Sequence, residues 1–143
     1  MAAETIFGPF FAMIALTMLV WVVMYVRRLR FIAVNRIDPQ QLTTLEKAAS
    51  LIPEAVNWPA HNLRNLFEVP VLFYALDLYL FVTDTVDGVN VTGAWLYVGL
   101  RAVHSLVHCT INIVRLRFVV YFLSTIVLWM LLARAAWVWL QTN

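Results

Sequence analysis

The stretch Ile6–Val26, IFGPFFAMIALTMLVWVVMYV, decides the fold class. It carries no charged side chain. At about 1.5 Å per residue it is long enough to cross roughly 30 Å of bilayer hydrocarbon as a helix. Arg27, Arg28 and Arg30 follow at once, and only Glu4 lies charged before it. A leader peptide has the opposite arrangement, so this run reads as a permanent span. Three further apolar runs have the same character, at about 63–82, 94–113 and 118–140. Unpaired backbone groups are not tolerated in hydrocarbon, which makes helices of all four. Alternation with period two is absent, and each run is too long for a barrel strand. The sequence predicts an all-α membrane protein: a four-transmembrane-helix antiparallel bundle, one domain over residues 1–143.

Composition points the same way. Of 143 residues, 63% are hydrophobic and 13% charged, with mean hydropathy +0.81. Soluble domains run near 45–50% and about 25%. A soluble enzyme, a nucleic-acid-binding domain and a disordered chain are excluded, and membrane lipid is the expected surrounding. Ten cations against eight anions leave a net charge of only +2. Cys109 is the single cysteine, so neither an intrachain disulfide nor a CxxC motif exists.

The cations set orientation. Arg27, Arg28, Arg30, Arg36, Lys47 and Arg64 follow the first span, and Arg115 and Arg117 lie between the third and fourth. The loop between the second and third spans holds Asp84 and Asp87 and no cation. The positive-inside rule puts both basic loops in the cytoplasm and both termini outside. Within the long basic loop, Pro39 opens a segment whose Leu42, Leu45, Ala48, Ala49 and Ile52 fall at helical spacing. An interfacial helix over Gln41–Ile52 is expected, with Pro53 and Pro59 bracketing and breaking the next stretch. Trp58 suits the headgroup belt.

Polar groups inside the spans carry the functional information. A charge at mid-bilayer costs at least about 2.5–3.5 kcal/mol on insertion scales and faces a partner or cavity. Arg101, His104, His108, Asn112 and Arg115 step along the third span by three or four residues, forming one helical stripe. His61, Arg64 or Asn65, and Glu68 make a matching stripe at the start of the second span. Glu68 is expected to contact Arg101 or His104, within one subunit or across a boundary. Arg134 is expected to snorkel to the outer headgroups, and Asp77 to serve a polar contact between helices. Cys109 reads as a small buried hydrophobe. His104 and His108 have an i, i+4 spacing that can hold a metal, but no third ligand is fixed, and no metal site is predicted.

The segment Asn65–Leu76, NLFEVPVLFYAL, resembles the second helix of the MAPEG family, the membrane-associated proteins in eicosanoid and glutathione metabolism. The segment Leu100–His108, LRAVHSLVH, is similar to the family's Arg-x-x-His signature in the third helix. Four spans, a chain of this length and a long first cytoplasmic loop agree. The resemblance implies a homotrimer with glutathione as co-substrate, bound between neighbouring subunits and open to the cytoplasm. It places Arg64, Asn65, Glu68, Arg101 and His104 around the tripeptide and gives Arg117 the catalytic, thiolate-stabilising role. His104 and His108 would be polar walls of that pocket. Three positions depart from the family pattern: His108 replaces a tyrosine, Phe118 stands where a small hydroxyl residue can assist, and His61 replaces an arginine. The motifs look closer to a bacterial branch, and the expected location is a bacterial inner membrane. Two functions emerge as expectations. One is a glutathione transferase or peroxidase acting on lipophilic substrates. The alternative is a non-catalytic membrane protein that binds lipid or serves as an accessory subunit of a larger membrane complex.

Overall fold

A computed structural model of the chain describes residues 3–142. It contains six α-helices and, among the described residues, no strand: α1 (Phe7–Val34), α2 (Leu45–Leu51), α3 (Glu54–Leu66), α4 (Pro70–Val82), α5 (Gly88–Cys109) and α6 (Val114–Thr142). A 3-10 turn over Ala3–Ile6 leads into α1.

Three helical stretches are long and apolar enough to cross a membrane: Ala3–Val34, Glu54–Val82 and Val114–Thr142. The chain is an integral membrane protein on that ground. The run expected at 94–113 is instead α5, which begins at Gly88 and stops at Cys109. Asn90, Thr92, Arg101, His104, Ser105 and His108 lower its hydropathy. Ten α5 residues are buried, among them Asn90, Arg101, His104, Ser105 and His108. Its polar ridge therefore faces protein, as a polar stripe inside a bilayer must.

The second apolar run is not one helix. Pro70 lacks an N–H, and its ring would clash with the Leu66 carbonyl in a continuous helix. The chain tightens first: the Phe67 and Glu68 amides bond the carbonyls of Arg64 and Asn65 at 3.0 and 3.4 Å. Helix α4 then restarts with Pro70 in its first turn, where no amide is needed. The expected break at Pro59 does not occur; Pro59 is buried in the interior of α3. Pro53 does precede that helix, at its N-cap. The expected interfacial helix divides into a 3-10 turn, Pro39–Leu42, capped by the Asp38 side chain, and α2, capped by Thr44.

Helix α1 continues past the apolar run to Val34 and ends at Asn35, before Arg36 turns into the left-handed region at φ 52°. Helices α5 and α6 form a hairpin around the turn 110–113. At Gly93 they approach so closely that an added Cβ would lie 2.7 Å from Leu131 Cδ2. Small residues of this kind substitute for the hydrophobic drive that lipid removes, because close packing and polar contacts hold membrane helices together. The shared core includes Met13 of α1, Phe73 and Leu76 of α4, Tyr97 of α5 and Leu128 of α6. Phe73 and Tyr97 stack there with centroids 4.7 Å apart. Large apolar side chains such as Phe11, Met18, Trp21, Met130 and Trp137 point outward.

Candidate functional site

The α5–α6 turn builds the site. Helix α5 ends at Cys109, and the Asn112 amide closes the turn on the Val107 carbonyl at 2.8 Å. Asn112 takes φ 46°, a left-handed conformation that asparagine tolerates better than most residues. The expected stripe therefore ends at His108. Asn112 belongs to the turn, and Arg115 is exposed on α6.

One turn into α6, Arg117 reaches back across the hairpin. Its Nη1 donates to Asn112 Oδ1 at 2.6 Å and to His108 Nε2 at 3.0 Å. Because a guanidinium only donates, His108 Nε2 is the acceptor, and the neutral ring carries its proton on Nδ1. His104 Nδ1 lies 3.0 Å from the Arg117 carbonyl, which only accepts. His104 therefore donates from Nδ1 and keeps a lone pair on Nε2. Neither His108 Nδ1 nor His104 Nε2 has a hydrogen-bond partner among the described residues, and both are buried. Arg117 Nη2 and Nε also have no protein bond among the described residues. These two nitrogens remain as donors for an incoming anion.

Deeper along the same face lies Arg101, fully buried at 0% exposure. Its Nε donates to the Tyr97 hydroxyl at 3.1 Å. The guanidinium carbon stands 4.6 Å from the Tyr121 ring centroid and 5.3 Å from that of Tyr97. Both Nη atoms are buried without an acceptor. The aromatic faces attract the cation without satisfying its N–H groups. His104 closes the group, 5.5 Å from Tyr121 and 5.5 Å from His108 between ring centroids.

Tyr97 and Tyr121 were not among the residues singled out from the sequence. The spacing contains them: Tyr97 precedes Arg101 by four residues, and Tyr121 follows Arg117 by four. A ridge traced through hydroxyl-bearing aromatics as well as charges includes both.

The second-helix stripe is placed differently. The inward face of α3 is Pro59, Asn62 and Leu66, not His61, Arg64 and Glu68. Glu68 bonds neither Arg101 nor His104 within the chain; it pairs with Arg64 across one helical turn at 3.8 Å. Those side chains are 50% and 86% exposed. Asn65 is half-buried between them. The break that Pro70 imposes leaves Glu68 at the exposed joint of two helices. The inward Asn62 is fully buried and serves another network. Its amide donates to Cys109 Sγ, and Ser105 Oγ donates to its Oδ1, each at 3.5 Å. Arg27 Nη1 donates to the Cys109 carbonyl at 2.7 Å, tying α1 to the end of α5.

Two other intramembrane charges depart from expectation. Arg134 does not reach out alone: it binds the Asp87 carboxylate and donates to Asn90 Oδ1 at 2.8 Å. Asp77 is 1% exposed, and its Oδ2 has no hydrogen-bond partner among the described residues. Phe118 is 64% exposed and stacks on Phe122. Among the described residues, no group of three His, Cys, Asp or Glu side chains could hold a metal ion.

Neither the curated proteins nor the solved structures hold a match to the chain. The profile of the MAPEG family matches residues 6–137, nearly its whole length. With its apolar helices, this match makes the chain a member of the MAPEG family.

Proposed function

We propose that the chain is a membrane enzyme that binds glutathione and activates its thiol for attack on lipophilic electrophiles or peroxides. The observation that carries this reading is the disposition of Arg117. Asn112 and His108 hold one of its nitrogens, and its other two nitrogens make no hydrogen bond to the described residues. A cation fixed beside a thiol stabilises the thiolate, which is the attacking species. A guanidinium held by two neighbours loses little freedom when an anion arrives. The thiol proton leaves to water, and the thiolate sulfur forms the new bond as the electrophile's leaving group departs.

Arg64 and Glu68 are exposed and Asn65 is half-buried, and within the chain the two charged side chains pair with each other and not with the Arg117 group. The three would complete the site in an assembly that sets them against the Arg117 side of a neighbour. A homotrimer does so by repeating one head-to-tail contact around a closed ring. The half-buried amide and the exposed carboxylate and guanidinium suit the amine and carboxylates of a tripeptide. Arg101, His104 and His108 form the polar wall behind Arg117, and α5 serves as the fourth span of the bundle. The loop cations support an orientation with the Arg117 end in the cytoplasm, and the likeness of the two motifs to a bacterial branch supports a bacterial inner membrane.

A second reading has its own support. His104, His108 and Asn112 already bond the Arg117 segment, and an internal staple would look the same. Such a chain would be a non-catalytic lipid-binding or accessory subunit. Thiolate absorbance of glutathione, titrated into nanodisc-embedded protein, separates the two. The enzyme reading expects a thiolate band at neutral pH that Arg117→Ala abolishes and a turnover of hydrophobic electrophiles that falls with it. A protein that binds no glutathione at millimolar concentration would contradict it.

A further inference from the structure

At the end of the bundle remote from Arg117, a cavity of about 520 Å3 opens between the ends of α4, α5 and α6. Its volume falls within the roughly 300–1,000 Å3 of ligand sites. Its rim is polar, with Thr83, Asp87 and Arg134, and its floor is apolar, with Leu80, Ala135 and Val138. Arg134 stands about 25 Å along α6 from Arg117, so the cavity is separate from the thiol site.

Arg134 also lines a second cavity of about 470 Å3, which runs between α5 and α6 past Gly93, Leu96, Val127 and Met130. That groove is almost wholly apolar, and its walls face outward: Leu96 is 54% and Met130 63% exposed. A polar cleft and an apolar groove thus meet at one arginine. This is the outline of an amphiphile with a polar head and an acyl chain.

Charge specifies the head. Arg134 and Asp87 form an ion pair in which both side chains are open, at 37% and 43% exposure. Asp87 also caps α5 by accepting from the Asn90 amide at 2.9 Å. The pair is neutral overall. A purely anionic headgroup meets a cation already paired with a carboxylate. A zwitterionic head finds a partner for each of its charges.

We propose that this double cavity binds a phospholipid with a phosphoethanolamine head. Its phosphate takes the remaining donors of Arg134, its ammonium lies against Asp87, and one acyl chain occupies the Gly93–Leu96 groove. No bond is made or broken; the lipid seals the α5–α6 seam at the end opposite the thiol site.

Native mass spectrometry of delipidated protein in detergent tests this, with three probes: phosphatidylethanolamine, phosphatidylglycerol and free phosphoethanolamine. Phosphatidylethanolamine should bind about tenfold more tightly than phosphatidylglycerol. Free phosphoethanolamine should bind far more weakly than either, because it lacks the chain. Arg134→Gln should remove the preference between the two lipids. Since that change also breaks the ion pair, Val138→Trp and Leu96→Trp fill the cleft and the groove while leaving the pair intact. Each should weaken phosphatidylethanolamine about tenfold, with lipid-free thermal unfolding unchanged. Equal binding of the two lipids would overturn the head assignment. Undiminished binding by both tryptophan variants, or binding of free phosphoethanolamine as tight as the lipid, would overturn the double-cavity site.

Discussion

Replacing Arg101 by methionine tests what the buried guanidinium does. The wild-type side chain is fully buried, with one hydrogen bond from Nε to Tyr97 and two Nη atoms that find no acceptor. Burying such an ion has an effective penalty of several kcal/mol. Against this stand a charge-assisted hydrogen bond of about 1.5–3 kcal/mol and stacking on Tyr97 and Tyr121, up to about 2 kcal/mol when desolvated. Methionine has similar length and removes the penalty together with both gains. It also orphans the fully buried Tyr97 hydroxyl, at a cost of about 1–3 kcal/mol. The balance for Arg101→Met is near zero, within about 1 kcal/mol. Adding Tyr97→Phe removes the orphan, so the double variant should be more stable than Arg101→Met by about 1 kcal/mol or more. Unfolding in mixed detergent–SDS micelles gives these differences, and double-variant analysis isolates the coupling. Glutathione binding should fall in every Arg101 variant while stability holds. A loss above about 3 kcal/mol in Arg101→Met, unrelieved by Tyr97→Phe, would show that the guanidinium has a strong partner and refute this reasoning.

Two glycines of α5 offer a matched test of the hairpin packing. A Cβ at Gly93 would meet Leu131 at 2.7 Å, so Gly93→Ala should destabilise by about 1–2 kcal/mol; nothing lies within 4 Å at Gly99, so Gly99→Ala should be neutral or stabilising by up to about 1 kcal/mol in the same micelle assay. Arg64→Gln or Glu68→Gln should change stability by less than about 0.5 kcal/mol, since the pair is exposed, yet weaken glutathione about tenfold by calorimetry. The Asn90 amide, and after it Arg134, hold the Asp87 carboxyl below the usual carboxylate range. A depressed pKa gives stability that is present above the unfolded value, near 3.9, and lost as pH falls through the lower folded value. Thermal scans from pH 7 downward should therefore show a loss below about pH 4 that is smaller in Asp87→Asn.

The sequence makes the membrane class plain because no soluble surface can be built from runs like Ile6–Val26. The Arg101–His108 ridge was legible for the same reason: in a bilayer, polar groups at steps of three and four must point into protein, and these do. The spacing of His61, Arg64 and Glu68 is just as regular, but these side chains are exposed and pair along the helix instead, His61 with Glu54 and Arg64 with Glu68. Spacing fixes which residues share a face. It does not fix which face turns inward, and the choice fell on Pro59, Asn62 and Leu66. The end of α5 was illegible because Asn112 continues the helical spacing while adopting a left-handed turn. Arg134 looked like a lone snorkelling cation because its partners, Asp87 and Asn90, are more than forty residues away in sequence.

The central claim is that Arg117 of one chain and the Arg64–Glu68 face of its neighbour make one glutathione site. Mixing Arg117→Ala chains with Glu68→Gln chains tests it most directly, by calorimetric glutathione binding after verified co-assembly in nanodiscs. Each variant alone should bind poorly, and the mixture should regain about a quarter of wild-type sites, the share in which intact halves meet at random. Co-assembled mixtures that regain no sites would contradict it.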